Sequence, residues 1–326
     1  MDNRREEYKK CITYTFIMHL LFATNNAYVP HVATTLCSIF ENNNDMSFVV
    51  HVMATDISEE NSRKLQQFVD GYRHSIEIKV INPDDLEIDL SVCGKWGIFP
   101  SLKLYAADLY PDVDRMLYVD ADMICLGSFK EIDNLDMTNW YVAASPDEEG
   151  SLKHKARLGM PIDSFYGCAG LMYFNLAAWR SNNVREACFA YFNNPDNKDI
   201  IQWGEQDVIN KVCIGHIYPL HLKFNMFSHY WLHHGQDIPK KYYEQWLESK
   251  EHPIIIHYID TVKPWFKDNT FPFKKYYWRY HALTPWRGQT YGYSKDYKGS
   301  KDCLKNHIKI LLHRWGIKKY DYCYDC

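Results

Sequence analysis

Two aspartates, Asp120 and Asp122, stand directly after the apolar run 116–119, with the small residue Ala121 between them. In an extended chain residues i and i+2 point to the same side, so both carboxylates can converge on one point. Hard carboxylate oxygens suit a divalent cation that also carries phosphate oxygens. Because ligands of open α/β sheets bind beyond the carboxyl ends of the strands, we predict a metal-dependent nucleotide site here.

The residues around this pair alternate between strand and helix patterns. Apolar runs predict strands at 16–23, 47–54, 75–81, 116–119, 171–176 and 254–258. Helical patterns cover 30–41, 56–71, 102–109 and 205–212. The second helix is predicted to begin at an Asp56 N-cap, with Glu59 three residues on, and to end at Gly71. This rhythm predicts an α/β fold built on a mostly parallel, doubly wound sheet.

The turn after the first strand reads ATNNAYVP. It contains neither G-x-G-x-x-G nor G-x-x-x-x-G-K, the glycine-rich patterns whose backbone N–H groups hold phosphates. We therefore expect a metal ion to take over the binding of phosphate groups in this protein.

Composition limits the class of protein. Hydrophobic residues make up 46% and charged residues 24% of the chain, as in ordinary soluble globular proteins. No run approaches 18 apolar residues, so no transmembrane helix is predicted, and nothing in the charge pattern suggests a nucleic-acid partner. The ten cysteines are scattered, which indicates reduced thiols in a cytoplasmic protein. Cys323 and Cys326 have CxxC spacing, but a single such pair is weak support for a zinc or redox role.

Residues 273–326 differ in charge from the rest of the chain. They contain twelve Lys/Arg and four Asp, a net charge of +8, whereas the whole chain carries −4, so the remainder carries −12. A basic amphipathic helix is predicted near the end, with its apolar face at Leu304, Ile308, Leu311, Leu312 and Trp315. We interpret this tail, with Trp278 and Trp286, as a peripheral attachment to the inner face of the plasma membrane. A terminal helix docked on the body is an equally good alternative.

Five segments carry a family resemblance. They read, in order, FATNNAYVPHVATTLCSI, LYVDADMICLGSF, FYGCAGLMYFNLAAW, EQDVIN and HYIDTVKPW. Over about residues 17–270 the chain resembles the family 8 retaining glycosyltransferases, which include bacterial lipopolysaccharide galactosyl- and glucosyltransferases and are related to glycogenin. The resemblance implies a GT-A type catalytic domain at 1–270 with a basic tail at 271–326. It also implies transfer of galactose or glucose from a UDP-sugar to a saccharide acceptor, such as the lipid-linked lipopolysaccharide core.

The resemblance also implies roles for individual residues. Asp120 and Asp122 match the ligands of Mn²⁺ or Mg²⁺, which His257 and the donor diphosphate complete. An imidazole beside carboxylates favours manganese over magnesium on chemical grounds alone. Lys263, in the KPW segment, matches a lysine that contacts the diphosphate. The cation and this lysine would stabilise the charge that develops on the leaving UDP.

Other matches surround the rest of the donor. The turn that follows the first strand matches the segment that holds uridine: Ala23, Thr24, Asn25, Asn26 and Tyr28. Asp147 matches an acidic residue that contacts the donor sugar. Glu205 and Gln206 match the acidic residue and the glutamine near the anomeric carbon, so these three are the predicted catalytic residues.

The chain departs from the family pattern at four positions of the predicted donor site. Cys168 stands where an asparagine usually contacts the donor sugar, and a thiol donates hydrogen bonds poorly. Ser101 replaces an arginine that contacts the diphosphate, and Lys103 is the predicted substitute. Glu205 replaces the commoner aspartate. Asp260 stands where glycine is usual, and its carboxylate is unfavourable beside a diphosphate unless the metal screens it.

Retention of the anomeric configuration commonly uses a carboxylate nucleophile, but Gln206 is a poor nucleophile. A front-face reaction, with UDP helping to deprotonate the acceptor, is therefore our preferred hypothesis. Two other functions fit parts of the sequence. Phosphatases of the haloacid dehalogenase type also use a strand followed by DxD, although there the motif follows the first strand. A UDP-sugar-binding protein without turnover would fit the departures at Cys168 and Ser101.

Overall fold

The computed structural model describes residues 17–93, 97–147, 151–228, 230, 238, 240–259, 261–271, 273–315 and 317. Asp260, Cys323 and Cys326 lie outside the described residues, so what was predicted for them stays a prediction.

The core of the fold is a seven-stranded sheet. The strands of the protein are β1 Ile17–Thr24, β2 Ser47–Ala54, β3 Ser75–Val80, β4 Arg115–Val119, β5 Met123–Cys125, β6 Val142–Pro146, β7 Gly167–Asn175, β8 Ile217–Pro219, β9 Met226–Phe227 and β10 Ile255–His257. The large sheet has the order β3-β2-β1-β4-β7-β6-β8. Its neighbours pair in parallel except on both sides of β7, which runs antiparallel. The mostly parallel sheet is therefore confirmed.

Helices cover both faces of this sheet. They are α1 Val29–Asn42, α2 Glu59–Gly71, α3 Ala106–Leu109, α4 Lys130–Asp133, α5 Ser151–Arg157, α6 Leu176–Ser181, α7 Val184–Phe192, α8 Glu205–Val212, α9 Tyr243–Glu251, α10 Lys274–His281 and α11 Ser300–Arg314. Along β1, Leu20 and Phe22 pack into the core that contains α1, whereas Leu21 packs into the opposite core with α6 and α7. This alternation is the period of two that a doubly wound strand requires.

Several local predictions differ in detail from the structure. The N-cap of α2 is Ser58 and not Asp56. The backbone of Ser58 is extended, and its hydroxyl oxygen accepts the N–H of Asn61 at 3.2 Å. The predicted helix at 102–109 is a 3-10 helix, Phe99–Tyr105, followed by the single turn of α3. Strand β6 was not predicted, because its sequence VAASP is composed mainly of small residues without alternation.

The first part of the predicted basic tail belongs to the core. Tyr277 on α10 is buried and its hydroxyl bonds to Nδ1 of His31 on α1 at 2.7 Å. Trp286 is 7% exposed and donates its indole N–H to Asn61 at 3.2 Å. Trp278 is half-buried and packs against His281. The prediction that Trp286 faces a membrane is therefore wrong, because core packing covers its indole, whereas for the half-buried Trp278 it stays a prediction.

Helix α11 presents apolar side chains to solvent. Leu304 is 63% exposed, Ile308 is 47% exposed, and Trp315, just after the helix, is 66% exposed. None of the helices in the described part of the chain combines the length and apolar character that crossing a bilayer requires. Of the predicted basic tail, α11 is therefore the segment that could form the predicted peripheral attachment.

Candidate functional site

Strand pairing brings a histidine to the two aspartates. Beyond Asp122, β5 runs antiparallel to β10, and Met123 pairs with His257. The backbone N–H of Tyr258 donates to the carbonyl of Asp122 at 3.1 Å, which fixes the register at this point. On the other side, the Thr35 hydroxyl of α1 donates to the carbonyl of Ala121 at 3.0 Å. The backbone carbonyls of the DxD turn are therefore held from both sides by hydrogen bonds, one from the backbone of Tyr258 and one from the hydroxyl of Thr35.

Asp120, Asp122 and His257 form a compact cluster. Nε2 of His257 lies 3.3 Å from Oδ1 of Asp122 and 3.8 Å from Oδ2 of Asp120. One ligand atom from each of the three residues lies within 4.8 Å of the others. The Tyr118 hydroxyl donates to Oδ1 of Asp120 at 2.6 Å, which fixes the rotation of this carboxylate. Two carboxylates and one imidazole therefore converge as a ligand set for one divalent cation.

Asn225 orients the imidazole ring of His257. Its Oδ1 lies 2.9 Å from Nδ1 of the imidazole, and both side chains are buried. An amide oxygen can only accept a hydrogen bond, so the hydrogen of the neutral ring lies on Nδ1. The lone pair of Nε2 then faces the two aspartates, which is the orientation that a metal ligand needs.

The two carboxyl groups have opposite electrostatic surroundings. Burial, together with the neighbouring Asp122 carboxylate, raises the pKa of Asp120 to about 6, against the opposing charge of Lys103. Burial also disfavours the charge on Asp122, but the ammonium of Lys263 outweighs it and holds the pKa of Asp122 below its ordinary value. Lys263 donates to Oδ2 of Asp122 at 2.7 Å and to the carbonyl of Tyr258 at 2.9 Å. Asp122 therefore supplies an anionic oxygen to the cluster, beside the Lys263 ammonium.

Two further observations show that these residues fit a bound cation. Oδ1 of Asp122 is buried, and no residue in the described part of the chain donates a hydrogen bond to it. An oxygen in this state is costly unless a ligand completes it. Gly170 keeps the adjacent space open: a Cβ at this position would lie 2.4 Å from Cε1 of His257 and 3.0 Å from Oδ2 of Asp120.

The cluster opens into a cavity of about 370 Å³, a size typical of small-molecule sites. Most of the residues predicted for the site line it: Ala23, Thr24, Asn25, Tyr28, Asp120, Ala121, Asp122, Asp147, Cys168, Glu205, Gln206, His257 and Lys263. The structure therefore brings together segments from all five motifs. Their individual roles stay predictions.

Three described residues predicted for the site lie outside the cavity lining. Asn26 points toward the start of α2, where its Oδ1 accepts the N–H of Ser58 at 2.8 Å. Ser101 is fully buried, and its hydroxyl contacts Sγ of Cys93 at 3.8 Å. Lys103 is 1% exposed, and its ammonium bonds to Glu205 at 3.0 Å. A diphosphate contact by Lys103 does not fit this position, because the ammonium lies behind the cavity wall.

Gln206 is held by three neighbours in the cavity wall. Its Oε1 accepts the backbone N–H of Ala169 at 2.8 Å. Its Nε2 donates to Oδ2 of Asp147 at 2.9 Å and to the hydroxyl of Tyr166 at 3.3 Å. The amide orientation is thereby fixed, and its oxygen is already engaged with a donor.

Asp207, the next residue along α8, is a structural carboxylate. It is fully buried and forms a two-point contact with Arg157 at 2.9 and 3.0 Å. It also accepts the N–H groups of Gln202 and Trp203, each at 2.8 Å, and the hydroxyl of Tyr166 at 2.7 Å. These five bonds tie the start of α8 to α5 and leave Asp207 unsuited to attack a substrate.

Cys168 lines the cavity as a neutral thiol. Burial, with the nearby Asp147 carboxylate, raises the pKa of this thiol above its ordinary value. Its reactivity as a nucleophile is correspondingly low.

Sequence reasoning missed eight residues of the cavity wall: Phe99, Pro100, Tyr118, Ala169, Gly170, Trp203, Phe227 and Ile259. Tyr118 could have been found, because it lies two residues before Asp120 and therefore on the same face of the chain. Gly170 stands in the FYGCAG segment, where an isolated glycine in a strand pattern indicates a close approach. We find no sequence signal for Phe227 or for the supporting Asn225.

Comparison with known proteins identifies relatives over most of the chain. A family model described as glycosyl transferase family 8 matches residues 19–269. General stress protein A of Bacillus subtilis is 23% identical over 275 residues, which cover 83% of this chain and 95% of the relative. A lipopolysaccharide 1,2-glucosyltransferase of Escherichia coli is 25% identical over 272 residues, covering 81% of this chain and 78% of the relative.

A solved structure of the galactosyltransferase LgtC, in complex with donor and acceptor sugar analogues, shares the fold. Its TM-score is 0.73 at 22% identity, and the match covers 83% of this chain and 99% of that one. The predicted GT-A type α/β fold and the predicted family resemblance are both confirmed by these matches.

Proposed function

The chain belongs to glycosyltransferase family 8, since the family model covers well over half of it, and on this premise we propose the finer activity. We propose that the protein transfers galactose or glucose from a UDP-sugar to a saccharide acceptor, with retention and with a divalent cation. The observation that carries the proposal is the convergence of Asp120, Asp122 and His257 at the floor of the cavity.

Asp120, Asp122 and Nε2 of His257 would hold the cation, with Mn²⁺ favoured by the mixed oxygen and nitrogen set. The bound metal would act as a Lewis acid toward the departing diphosphate. Lys263 supports the same function from the other side, because its buried ammonium lies 2.7 Å from Asp122 and lines the cavity. The loop that carries Asn25 and Tyr28 lines the same cavity, where a nucleoside would fit.

The relatives support a cell-surface glycan as the acceptor. One relative is a lipopolysaccharide 1,2-glucosyltransferase, and LgtC is a galactosyltransferase whose structure contains donor and acceptor sugar analogues. We propose a lipid-linked saccharide such as the lipopolysaccharide core. Galactose and glucose both stay open as the donor sugar.

The geometry of Gln206 supports a front-face reaction. Because its Oε1 already accepts the Ala169 N–H, this oxygen is poorly placed to form a bond to carbon. We expect Gln206→Ala to lower kcat by about 100-fold, the usual cost of losing one polar contact in the transition state. Steady-state kinetics with intact-mass spectrometry provide the measurement. Complete inactivity with a glycosyl adduct on Asp147 or Glu205 would contradict the front-face hypothesis.

The direct test of the proposed function is a panel of UDP-sugars incubated with Mn²⁺, with released UDP as the readout. This assay needs no acceptor. Release from UDP-galactose or UDP-glucose, abolished by a chelator and restored by Mn²⁺, is expected. Metal-dependent UDP binding without release from any UDP-hexose would favour the non-catalytic binding protein instead. Hydrolysis of simple phosphomonoesters without any sugar nucleotide would favour the phosphatase alternative.

We also propose that α11 attaches the protein to an anionic membrane surface. Its exposed Leu304 and Ile308 lie four residues apart on one face, and the exposed Lys305 and Lys309 lie beside that face, which is the pattern of an interfacial helix. Basic residues near such a surface contribute roughly 1 kcal/mol each.

Deleting residues 299–326 tests this attachment without disturbing the packed α10. We expect the truncated protein to lose binding to vesicles that contain phosphatidylglycerol, while UDP release from the UDP-hexose is unchanged. Vesicle flotation of both forms gives the measurement, with neutral phosphatidylcholine vesicles as the control. Equal flotation of the full-length and truncated chains would refute the proposal.

A further inference from the structure

Lys103 is a buried cation in the cavity wall. Its side chain is 1% exposed. The ammonium donates to the carbonyl of Ala169 at 2.7 Å and to Oε1 of Glu205 at 3.0 Å, and it lies 3.8 Å from the centre of the Tyr118 ring. An ammonium group has three N–H donors, and these three partners occupy them. The N–H donors of Lys103 are therefore all used in contacts within the protein.

These contacts close a ring at the end of β7. Lys103 bonds to Glu205, Glu205 precedes Gln206 along α8, and Gln206 accepts the N–H of Ala169. The Ala169 carbonyl then returns to Lys103. Ala169 is thus held through both of its backbone polar groups by side chains.

The same strand end connects this ring to the metal ligands. The residue after Ala169 is Gly170, whose carbonyl accepts the backbone N–H of Asp120 at 2.8 Å. Any shift of Ala169 would therefore move Gln206 relative to the DxD turn. Tyr118 adds a second connection, because its ring faces the Lys103 ammonium and its hydroxyl donates to Asp120.

We propose that Lys103 is a positioning residue that sets the spacing between the Glu205–Gln206 pair and the metal centre. It also neutralises the Glu205 carboxylate, which is 5% exposed and would otherwise repel an anionic donor from the cavity wall. This inference rests on the proposed function, because it concerns the same site. It replaces the predicted diphosphate contact of Lys103 with a contact inside the protein.

A double-mutant cycle tests the proposal. The variants are Lys103→Met, Glu205→Gln and the pair combined, each assayed for UDP release from the UDP-hexose with Mn²⁺. For Lys103→Met we expect kcat to fall about 100-fold while KM for the donor changes less than about threefold, because misplacement affects the transition state more than binding. The kcat of the combined variant should be no lower than that of Lys103→Met alone, because both substitutions break the same ring of contacts.

A matched control is offered by Lys79 on β3. This lysine makes the same kinds of contact, to the carbonyl of Leu109 at 2.9 Å, to Glu77 at 3.3 Å and over the ring of Tyr110 at 4.6 Å. It lies outside the cavity lining formed by the described residues. Lys79→Met should leave kcat and KM unchanged.

Two kinetic outcomes would overturn the proposal. One is a tenfold or larger rise in donor KM for Lys103→Met with kcat preserved, which would place the ammonium on the diphosphate. The other is a combined variant whose loss of kcat equals the product of the losses in the two single variants.

Thermal unfolding separates this inference from the proposed function. Lys103→Met leaves the Glu205 charge buried without its partner, so its Tm should fall, and the combined variant should recover most of that loss. If the wild-type chain releases no UDP from any UDP-hexose, the proposed function fails, but recovery of Tm would still support the ring. Additive losses of Tm would overturn it.

Discussion

Asp122→Asn is expected to lower UDP release from the UDP-hexose by on the order of 1,000-fold, through loss of the bound cation. The substitution keeps the shape of the side chain but removes a charge from the ligand set. It also replaces an oxygen pair that Lys263 contacts at 2.7 Å and His257 faces at 3.3 Å. Calorimetric titration with Mn²⁺ should show that affinity for the metal falls together with activity.

Asp45→Asn is the control for this experiment. Asp45 is an exposed aspartate that pairs with Lys130 on the surface and is not among the described residues that line the cavity. Its loss should change neither Mn²⁺ affinity nor turnover, since exposed ion pairs contribute little. An Asp122→Asn variant that binds Mn²⁺ normally and keeps more than a tenth of its activity would refute the assignment of the metal ligands.

Gly170→Ala is the second substitution for which we expect a large effect. The new Cβ would lie 2.4 Å from Cε1 of His257, 2.9 Å from Cε of Met123 and 3.0 Å from Oδ2 of Asp120. His257 cannot move away freely, because β10 and Asn225 hold it. We expect Mn²⁺ affinity to fall by about 10- to 100-fold and the free energy of unfolding to fall by about 1–3 kcal/mol.

Gly71→Ala separates this effect from a general cost of adding a methyl group. Gly71 ends α2, and a Cβ there would meet no atom within 4 Å. We expect this variant to retain full Mn²⁺ affinity and to be as stable as the wild type or slightly more stable. Equal Mn²⁺ affinity in Gly170→Ala and the wild type would show that the space beside Gly170 does not serve a cation.

Local patterns were enough to predict the elements that carry the site. Alternation along an extended chain predicts that Asp120 and Asp122 lie on the same side. In the structure they stand in the turn between β4 and β5, and both carboxylates still face His257. The order of strands and helices predicts a mostly parallel sheet, and in such sheets the ends of the strands form the binding edge. The absence of a glycine-rich turn likewise follows directly from ATNNAYVP. For these reasons the fold and the position of the cavity could be predicted without coordinates.

Residue type misled in two places, for one physical reason. The basic, aromatic stretch after residue 272 looked like a detached tail, but Tyr277 and Trp286 are buried against α1 and α2. Lys103 looked like a free cation for the diphosphate, but it is 1% exposed and bonded to Glu205. Residue type reports what a side chain could contact, whereas burial depends on which distant segments pack over it.

The amino-acid sequence by itself therefore determined the mostly parallel α/β class, the DxD pair and the family of the protein, because these depend on short-range alternation and ordered motifs. The tertiary structure alone decided that β10 pairs with β5 and brings His257 to Asp122. It also decided that Asn225 orients the imidazole and that Lys103 closes a ring with Gln206 through Ala169. Such contacts join residues far apart in the chain, so they arise only when long-range packing fixes which polar groups lose water and must find partners in each other.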